Sequence, residues 1–345
     1  MSPVTCHPSR ILIVAPSWIG DTIIAQPLFM RLVERNPGCR IDVLAQPWVA
    51  PVLRAMPQIA EVIESPLRHG RFDLRLRWQL ARRLAAGRYD EAIVLPNSWK
   101  SALMPFLAGI GVRTGFAGES RHGLLNRLHR LDTTALPRQV DRYAQLAQTP
   151  GEALRLPLPQ PCLTRDPARE TATLAALGLA LAREPVVFCP GAEYGPAKRW
   201  PADYYAELAR ALAARNHAIW LLGSAADAPV AEQIVAASGG AAQSLCGRTS
   251  LAQALDLIGA ARLVVTNDSG LMHVAAALGT PLVALYGSSS PDYTPPLSDK
   301  AAIIWRKPDC SPCFERVCPL GHFRCMRELT PDSVLQTATG KLADA

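Results

Sequence analysis

Leu263-Val264-Val265-Thr266-Asn267-Asp268-Ser269-Gly270-Leu271-Met272-His273 is the stretch from which the fold is read. Leu263–Val265 is an unbroken apolar run, the pattern of a buried strand. Thr266 to Gly270 is a polar turn carrying a glycine. Leu271 to Leu278 then reads as a helix. A strand entering a helix through such a turn leaves backbone N–H groups unpaired at the helix start. Those donors and the helix dipole attract phosphate. The next strand, Pro281 to Tyr286, ends in a second small polar turn, Gly287-Ser288-Ser289-Ser290. Two such turns on neighbouring strands predict a phosphorylated ligand at the C-terminal edge of a parallel sheet.

The same alternation extends outward in both directions. In the second half, strands are expected at Val186–Cys189, Ile219–Leu222, Leu282–Leu285 and Ala302–Trp305. Helices are expected at Ala202–Arg215, Val230–Ala237 and Leu251–Ala260. In the first half, strands at Ile11–Ala15, Ile41–Leu44, Glu61–Ile63 and Ala92–Leu95 alternate with helices at Thr22–Glu34, Val49–Ala55 and Phe72–Ala86. This βαβα order implies parallel sheets covered on both faces. Pro150, Pro157, Pro159, Pro161 and Pro167 mark a connecting segment that closes with a helix from Ala168 to Leu177. The expected boundary is near residue 180, giving domains 1–180 and 181–345 of similar size. Ligands are expected in a cleft at the C-terminal ends of the strands. Thr330 to Ala343 is a last helix without a legible docking site.

A chain of 345 residues, 49% of them apolar, is long enough for two cores. No run of 18 apolar residues free of charge occurs, so no membrane-spanning helix is expected. Met1 to Arg10 is polar and Ile11–Ala15 is too short for a signal-peptide core, so a cytoplasmic location is expected. The net charge of +7 is uneven. Residues 1–180 carry 22 Lys and Arg against 14 Asp and Glu, leaving +8, and residues 181–345 carry 14 against 15, leaving −1. Arg68, Arg71, Arg75, Arg77, Arg82, Arg83 and Arg88 are the densest part. Such a field suits a phosphorylated substrate or an acidic membrane face, or is a solvated helix surface. Nucleic acid is disfavoured, because no helix-turn-helix, zinc-finger or aromatic-basic motif accompanies the charge.

Pro16-Ser17-Trp18-Ile19-Gly20-Asp21 joins the first strand to its helix. Asp21 there is either a helix cap or a carboxylate aimed into a cleft, and position alone favours the cap. Pro190 to Pro201 joins the first strand of the second half to its helix, with Gly191, Glu193, Gly195 and the adjacent cations Lys198 and Arg199. Those cations suit a diphosphate, lysine as a point charge and arginine as a fork. Asp268 is unsuited to phosphate; it caps the helix, accepts from the Ser269 and Gly270 amides, or meets sugar hydroxyls. His273, a turn into the helix, fits a packed histidine better than a catalyst. Gly109-Ile110-Gly111 fails as a dinucleotide fingerprint, since Thr114 takes the third glycine's place and no strand is expected before it. No Asp-x-Asp pair, Walker loop, His-Glu-x-x-His or Gly-x-Ser-x-Gly occurs. Cys310, Cys313, Cys318 and Cys325, with His322 among them, have partial metal-knuckle spacing. They read as reduced thiols or as a structural zinc site, with the metal-free reading favoured.

Trp18–Asp21, Leu95-Pro96-Asn97-Ser98-Trp99-Lys100-Ser101, Arg113-Thr114-Gly115-Phe116, Pro190–Pro201 and Thr266–His273 together closely resemble the ADP-heptose-using lipopolysaccharide heptosyltransferase family, in order along nearly the whole chain. The resemblance implies a GT-B glycosyltransferase: two doubly wound Rossmann-like domains facing a central cleft, the first binding acceptor and the second ADP-heptose. It implies inverting, metal-independent transfer of L-glycero-D-manno-heptose from ADP-heptose onto the first heptose of the lipopolysaccharide inner core, with no cofactor. The acceptor is an acidic, phosphorylated, lipid-linked oligosaccharide, so the enzyme is expected peripherally at the cytoplasmic face of the inner membrane. By this resemblance Asp21 is the general base and Lys198 contacts the diphosphate. Gly191, Glu193, Asp268, Ser269, Gly270 and His273 belong to the donor site, and Asn97, Ser98, Lys100 and Arg121 to the acceptor side. Another metal-independent GT-B enzyme, such as the family member that adds the first core heptose or a sugar-nucleotide epimerase, is the neighbouring alternative, and Asn97–Ser101 favours the member that adds the second heptose. A non-catalytic nucleotide-binding protein docked on acidic membranes is the alternative outside the enzymes.

Overall fold

The structure is a computed structural model describing residues 9–67, 73–181 and 183–344. It divides into two compact units, Met1–Gln160 and Pro161–Ala345. In the first, strands β1 (Arg10–Val14), β2 (Arg40–Ala45), β3 (Ile59–Glu64), β4 (Glu91–Val94), β5 (Val112–Phe116) and β6 (Arg127–His129) form one sheet. The helices between and after them are α1 (Ile19–Ile24), α2 (Gln26–Arg35), α3 (Ala50–Arg54), α4 (Leu74–Ala86), α5 (Trp99–Leu107) and α6 (Gln139–Gln145). All strand pairs are parallel, in the order β3-β2-β1-β4-β5-β6. β1 is central, which is why Ile11, Leu12 and Ile13 are buried on both faces.

The second unit repeats this plan. Its strands are β7 (Pro185–Cys189), β8 (Ala218–Leu221), β9 (Ala242–Ser244), β10 (Leu263–Asn267), β11 (Leu282–Tyr286) and β12 (Ala301–Trp305). Its helices are α7 (Pro167–Ala176), α8 (Ala202–Ala213), α9 (Ala228–Ala237), α10 (Leu251–Ala260), α11 (Gly270–Ala277), α12 (Arg324–Arg327) and α13 (Pro331–Ala343). The parallel order β12-β11-β10-β7-β8-β9 has the same winding. Each sheet starts at its centre, walks to one edge, then returns to the centre and walks to the other. The winding reverses at β1/β4 in one unit and at β7/β10 in the other. Loops there diverge to opposite faces and leave a crevice beyond the strand ends.

Four features differ from the sequence reading. The boundary expected near residue 180 falls at 160/161. The reason is α7, whose Arg169 and Thr173 both bond Asp256 of α10, at 2.9 and 2.7 Å, while Leu163 N donates to Ala277 O at 2.8 Å. The helix expected over Thr22–Glu34 is two helices meeting at Ala25, because Pro27, in the first turn of α2, cannot donate into a continuous ladder. β5, β6 and β9 are strands that no apolar run announces. α13 docks on α8, β10 and β11, burying Val334 and Ala338 in the second core. Of the arginine run, Arg68 and Arg71 lie outside the described residues, as does Phe72. Arg77 is buried; Arg75, Arg82, Arg83 and Arg88 are exposed.

Candidate active site

At the β7/β10 reversal, β10 ends at Asn267 and α11 begins at Gly270. Asn267 is fully buried and uses both ends of its amide. Its Nδ2 donates to the carbonyls of Pro190 (2.8 Å) and Gly191 (3.4 Å). Its Oδ1 accepts from Trp200 N (3.2 Å) and Tyr205 Oη (3.1 Å). One side chain therefore clamps both ends of the Pro190–Pro201 loop onto β10. That clamp brings Lys198 to Asp268, Nζ to Oδ2 at 2.5 Å. Asp268 thus holds the lysine rather than capping the helix. Ser269 occupies the N-cap position, its side chain makes no capping hydrogen bond, and its Oγ lies 3.3 Å from Thr266 Oγ1. The first amides of α11 are therefore not claimed by the cap side chain, and the dipole there favours an anion.

His273 is buried in the second turn of α11, and burial pushes its pKa down to about 4; nearby Asp268 raises it and Lys198 lowers it further. It is a neutral, packed imidazole at physiological pH. Gly191 and Glu193 lie on the same loop, Glu193 exposed. Gly191 has no room for a side chain, because a Cβ would sit 2.4–2.5 Å from the Asp227 carboxylate. Asp227 in turn closes a capping box with Ser224.

A second layer braces the loop. Ala197 N donates to Arg316 O at 3.0 Å, and Tyr194 Oη donates to Phe314 O at 2.7 Å. Gly195, at φ +155°, passes so close that a Cβ would meet Arg316 O at 2.4 Å. The Tyr194 ring lies 5.2 Å from Lys198 Nζ and 5.1 Å from the Arg316 guanidinium carbon, within cation–π range of both. Asn267, Asp227, Tyr194 and Arg316 were not among the residues singled out from sequence. Asn267 and Tyr194 stood inside the quoted motifs; Asp227 and Arg316 reach the loop only through the fold.

In the first unit, Asp21 lies in the first turn of α1, two residues beyond its first residue Ile19. Trp18 holds the N-cap position, so the cap reading of Asp21 does not apply. The preceding turn is pinned by Trp48 Nε1 donating to Ser17 O at 2.8 Å and by Thr22 Oγ1 donating to Trp18 O at 2.8 Å. Asn97, Ser98 and Lys100 follow β4, the other strand of that reversal. Ser98 caps α5, accepting from Ser101 N at 3.3 Å. Asn97 and Lys100 are exposed. Arg121, expected to meet acceptor, is 0% exposed. Its guanidinium donates to Pro96 O (2.9 Å), Asn97 Oδ1 (3.0 Å) and Phe116 O. Burial holds its pKa below the usual arginine value. It is a strut beneath Asn97, because a fork with carbonyl partners at this depth has no path to solvent.

Two doubly wound sheets, the second offering a lysine and helix amides at its reversal, define the GT-B class of Rossmann-type glycosyltransferases. The profile of glycosyltransferase family 9 (heptosyltransferase) matches residues 77–324. The chain is 45% identical over 336 residues to lipopolysaccharide heptosyltransferase 2 of Escherichia coli K12, covering 95% of this chain and 97% of that one. It is 48% identical over 306 residues to lipooligosaccharide heptosyltransferase 2 of Haemophilus influenzae, covering 86% and 88%. The solved structure of E. coli ADP-heptose lps heptosyltransferase II superposes with a TM-score of 0.87 at 42% identity, covering 97% of this chain and 99% of that one. The chain belongs to glycosyltransferase family 9, the heptosyltransferases, and is a glycosyltransferase.

Proposed function

We propose that the chain transfers L-glycero-D-manno-heptose from ADP-heptose onto the first heptose of the lipopolysaccharide inner core, with inversion and without a metal at the leaving group. The carrying observation is the Lys198–Asp268 pair beside the start of α11. An ammonium has three N–H donors, and Asp268 engages one of them. The remaining donors and the Ser269 and Gly270 amides suit the diphosphate of ADP, whose negative charge grows as it leaves. Asp21 takes the proton of the acceptor hydroxyl as its oxygen bonds to the anomeric carbon and the bond from that carbon to the phosphate oxygen breaks. Gly191 lets the donor loop pack close, Glu193 offers a carboxylate to sugar hydroxyls, and His273 packs neutral beneath the donor turn. Asn97, Ser98 and Lys100 serve the acceptor, with Arg121 as a positioning residue. Relatives at 43–48% identity are named for the second heptose transfer, whereas heptosyltransferase 1 of Pseudomonas aeruginosa is 30% identical. Heptosyltransferase 2 of Campylobacter jejuni is only 24% identical, so the preference for the second transfer rests on the four relatives at 43–48%.

Docking at the cytoplasmic face of the inner membrane follows from a lipid-linked acceptor. Among the described residues no helix is long and apolar enough to cross a membrane. α4 turns Leu74, Arg75, Trp78 and Arg82 outward, with the Arg82 guanidinium carbon 4.8 Å from the Trp78 ring centroid. Exposed tryptophan flanked by arginine suits an anionic headgroup layer. The deciding experiment offers ADP-heptose to core oligosaccharides ending in no heptose or in one heptose, with EDTA present. Labelling of the one-heptose core alone is expected. Labelling of the heptose-free core would assign the first transfer instead. Turnover of neither, with ADP still raising the melting temperature, would favour a binding protein.

A further inference from the structure

Between β12 and α12, residues 306–323 form neither helix nor strand. Long ordered loops in compact domains need something to hold them. Apolar burial does not do so here, because Phe314, Val317 and Leu320 are 47%, 60% and 62% exposed. Cys325 is buried, and Cys310, Cys313 and Cys318 are half-buried. Cys310, Cys313, Cys318 and Cys325 line one pocket with His322, Ala197 and Ser288. They reach it from different directions. Cys310 and Cys313 flank Ser311, whose Oγ donates to Gly287 O at 2.6 Å. Cys325 is buried at the start of α12 against Gly287, where a Cβ would stand 3.2 Å from its sulfur. His322 is less available, because its Nδ1 already accepts from Arg324 N at 3.0 Å.

We propose that Cys310, Cys313, Cys318 and Cys325 form a structural site for one thiophilic ion of the zinc class, which staples this loop under the donor loop. Among the described residues no three His, Cys, Asp or Glu side chains stand close enough together to hold an ion. Ion binding therefore has to draw the four sulfurs together. Each thiol gives up its proton to solvent, and each resulting thiolate moves to about 2.3 Å from the metal. Tetrahedral, all-sulfur ligation leaves no open position for substrate, so the ion takes no part in transfer. Its effect runs through the loop backbone. Phe314 O and Arg316 O hold Tyr194 and Ala197, the residues on either side of Gly195, and Lys198 follows directly. This last link rests on the reading of Pro190–Pro201 as the donor loop; the metal site itself does not.

The test uses full-length protein purified without a metal-affinity step. Elemental analysis is expected to give about one zinc per chain, as a closed four-thiolate site holds. Iron in the same amount, with a thiolate-to-iron visible absorption, would support the same ligand set. Under native conditions the four thiols should react with Ellman's reagent far more slowly than the exposed Cys162. A mercurial should release the ion as the four become blocked. Cys313→Ser should lose the ion and raise the KM for ADP-heptose about tenfold while kcat changes little. Should that variant fail to fold, thiol protection in the unaltered protein still decides. Less than about a tenth of an equivalent of metal after incubation with zinc, with all four thiols as reactive as Cys162, would overturn the site. A bound ion in a protein that transfers no heptose would leave it standing and remove the functional reading alone.

Discussion

Lys198→Met separates what the Lys198–Asp268 pair does for the fold from what it does for the ligand. Nζ and Oδ2 are 2.5 Å apart, and the two side chains are 18% and 6% exposed. Removing the ammonium leaves a buried carboxylate without its counter-charge. Breaking a buried pair from one side costs about 3–5 kcal/mol. The lysine keeps some water, so the expected loss is discounted to about 2–3 kcal/mol. Lys198→Met combined with Asp268→Asn removes both charges and should lose only about 1 kcal/mol, a non-additivity diagnostic of direct contact. Turnover should not follow stability. Both variants should transfer heptose about a hundredfold more slowly, since neither offers a cation to the departing diphosphate. Urea unfolding read by tryptophan fluorescence, in which buried Trp200 reports the second unit, gives the first quantity. Initial rates with ADP-heptose give the second. A double variant as unstable as Lys198→Met would deny that Asp268 depends on the lysine. A double variant with restored turnover would deny the lysine its role on the leaving group.

Asp21→Ala should lower turnover by about a hundredfold while the melting shift produced by ADP stays unchanged, the pattern of a lost base; near-normal rates would remove that assignment. Arg121→Lys should not substitute for arginine, because one ammonium cannot reproduce a fork shared among Pro96 O, Phe116 O and Asn97. A loss of about 3 kcal/mol in urea unfolding is expected, with a raised acceptor KM; unchanged stability would contradict the strut. Acid should weaken the second unit through His273. Its folded pKa is about 4, below the unfolded value of 6.5, so the unfolded chain binds the extra proton between those limits. Stability should therefore fall as pH drops from about 6.5 toward 4, by about 3 kcal/mol in all, and His273→Gln should flatten that part of the melting-temperature profile.

The apolar runs of β1, β4, β7, β10 and β11 were legible because a strand buried on both faces needs uninterrupted apolar residues. β5 was not, since Val112-Arg113-Thr114-Gly115-Phe116 lacks such a run and reaches the sheet only by pairing with β4. β6 and β9 are three residues each, too short to carry a period. The unit boundary was displaced because α7 looks like a linker helix in sequence, and only its bonds to Asp256 assign it to the second sheet.

The chain by itself determined the alternation of strands and helices, and hence two parallel sheets with polar turns at their strand ends. That information is local: periodicity, glycine and proline act over a few residues. The order of strands, the Asn267 clamp, the burial of Arg121 and the gathering of four cysteines needed the tertiary structure. Asn267 bonds residues 62 to 77 positions away, and Arg121 reaches back 24 and 25. No local pattern encodes such partners. They are selected when buried polar groups must find hydrogen bonds wherever the packed core places them.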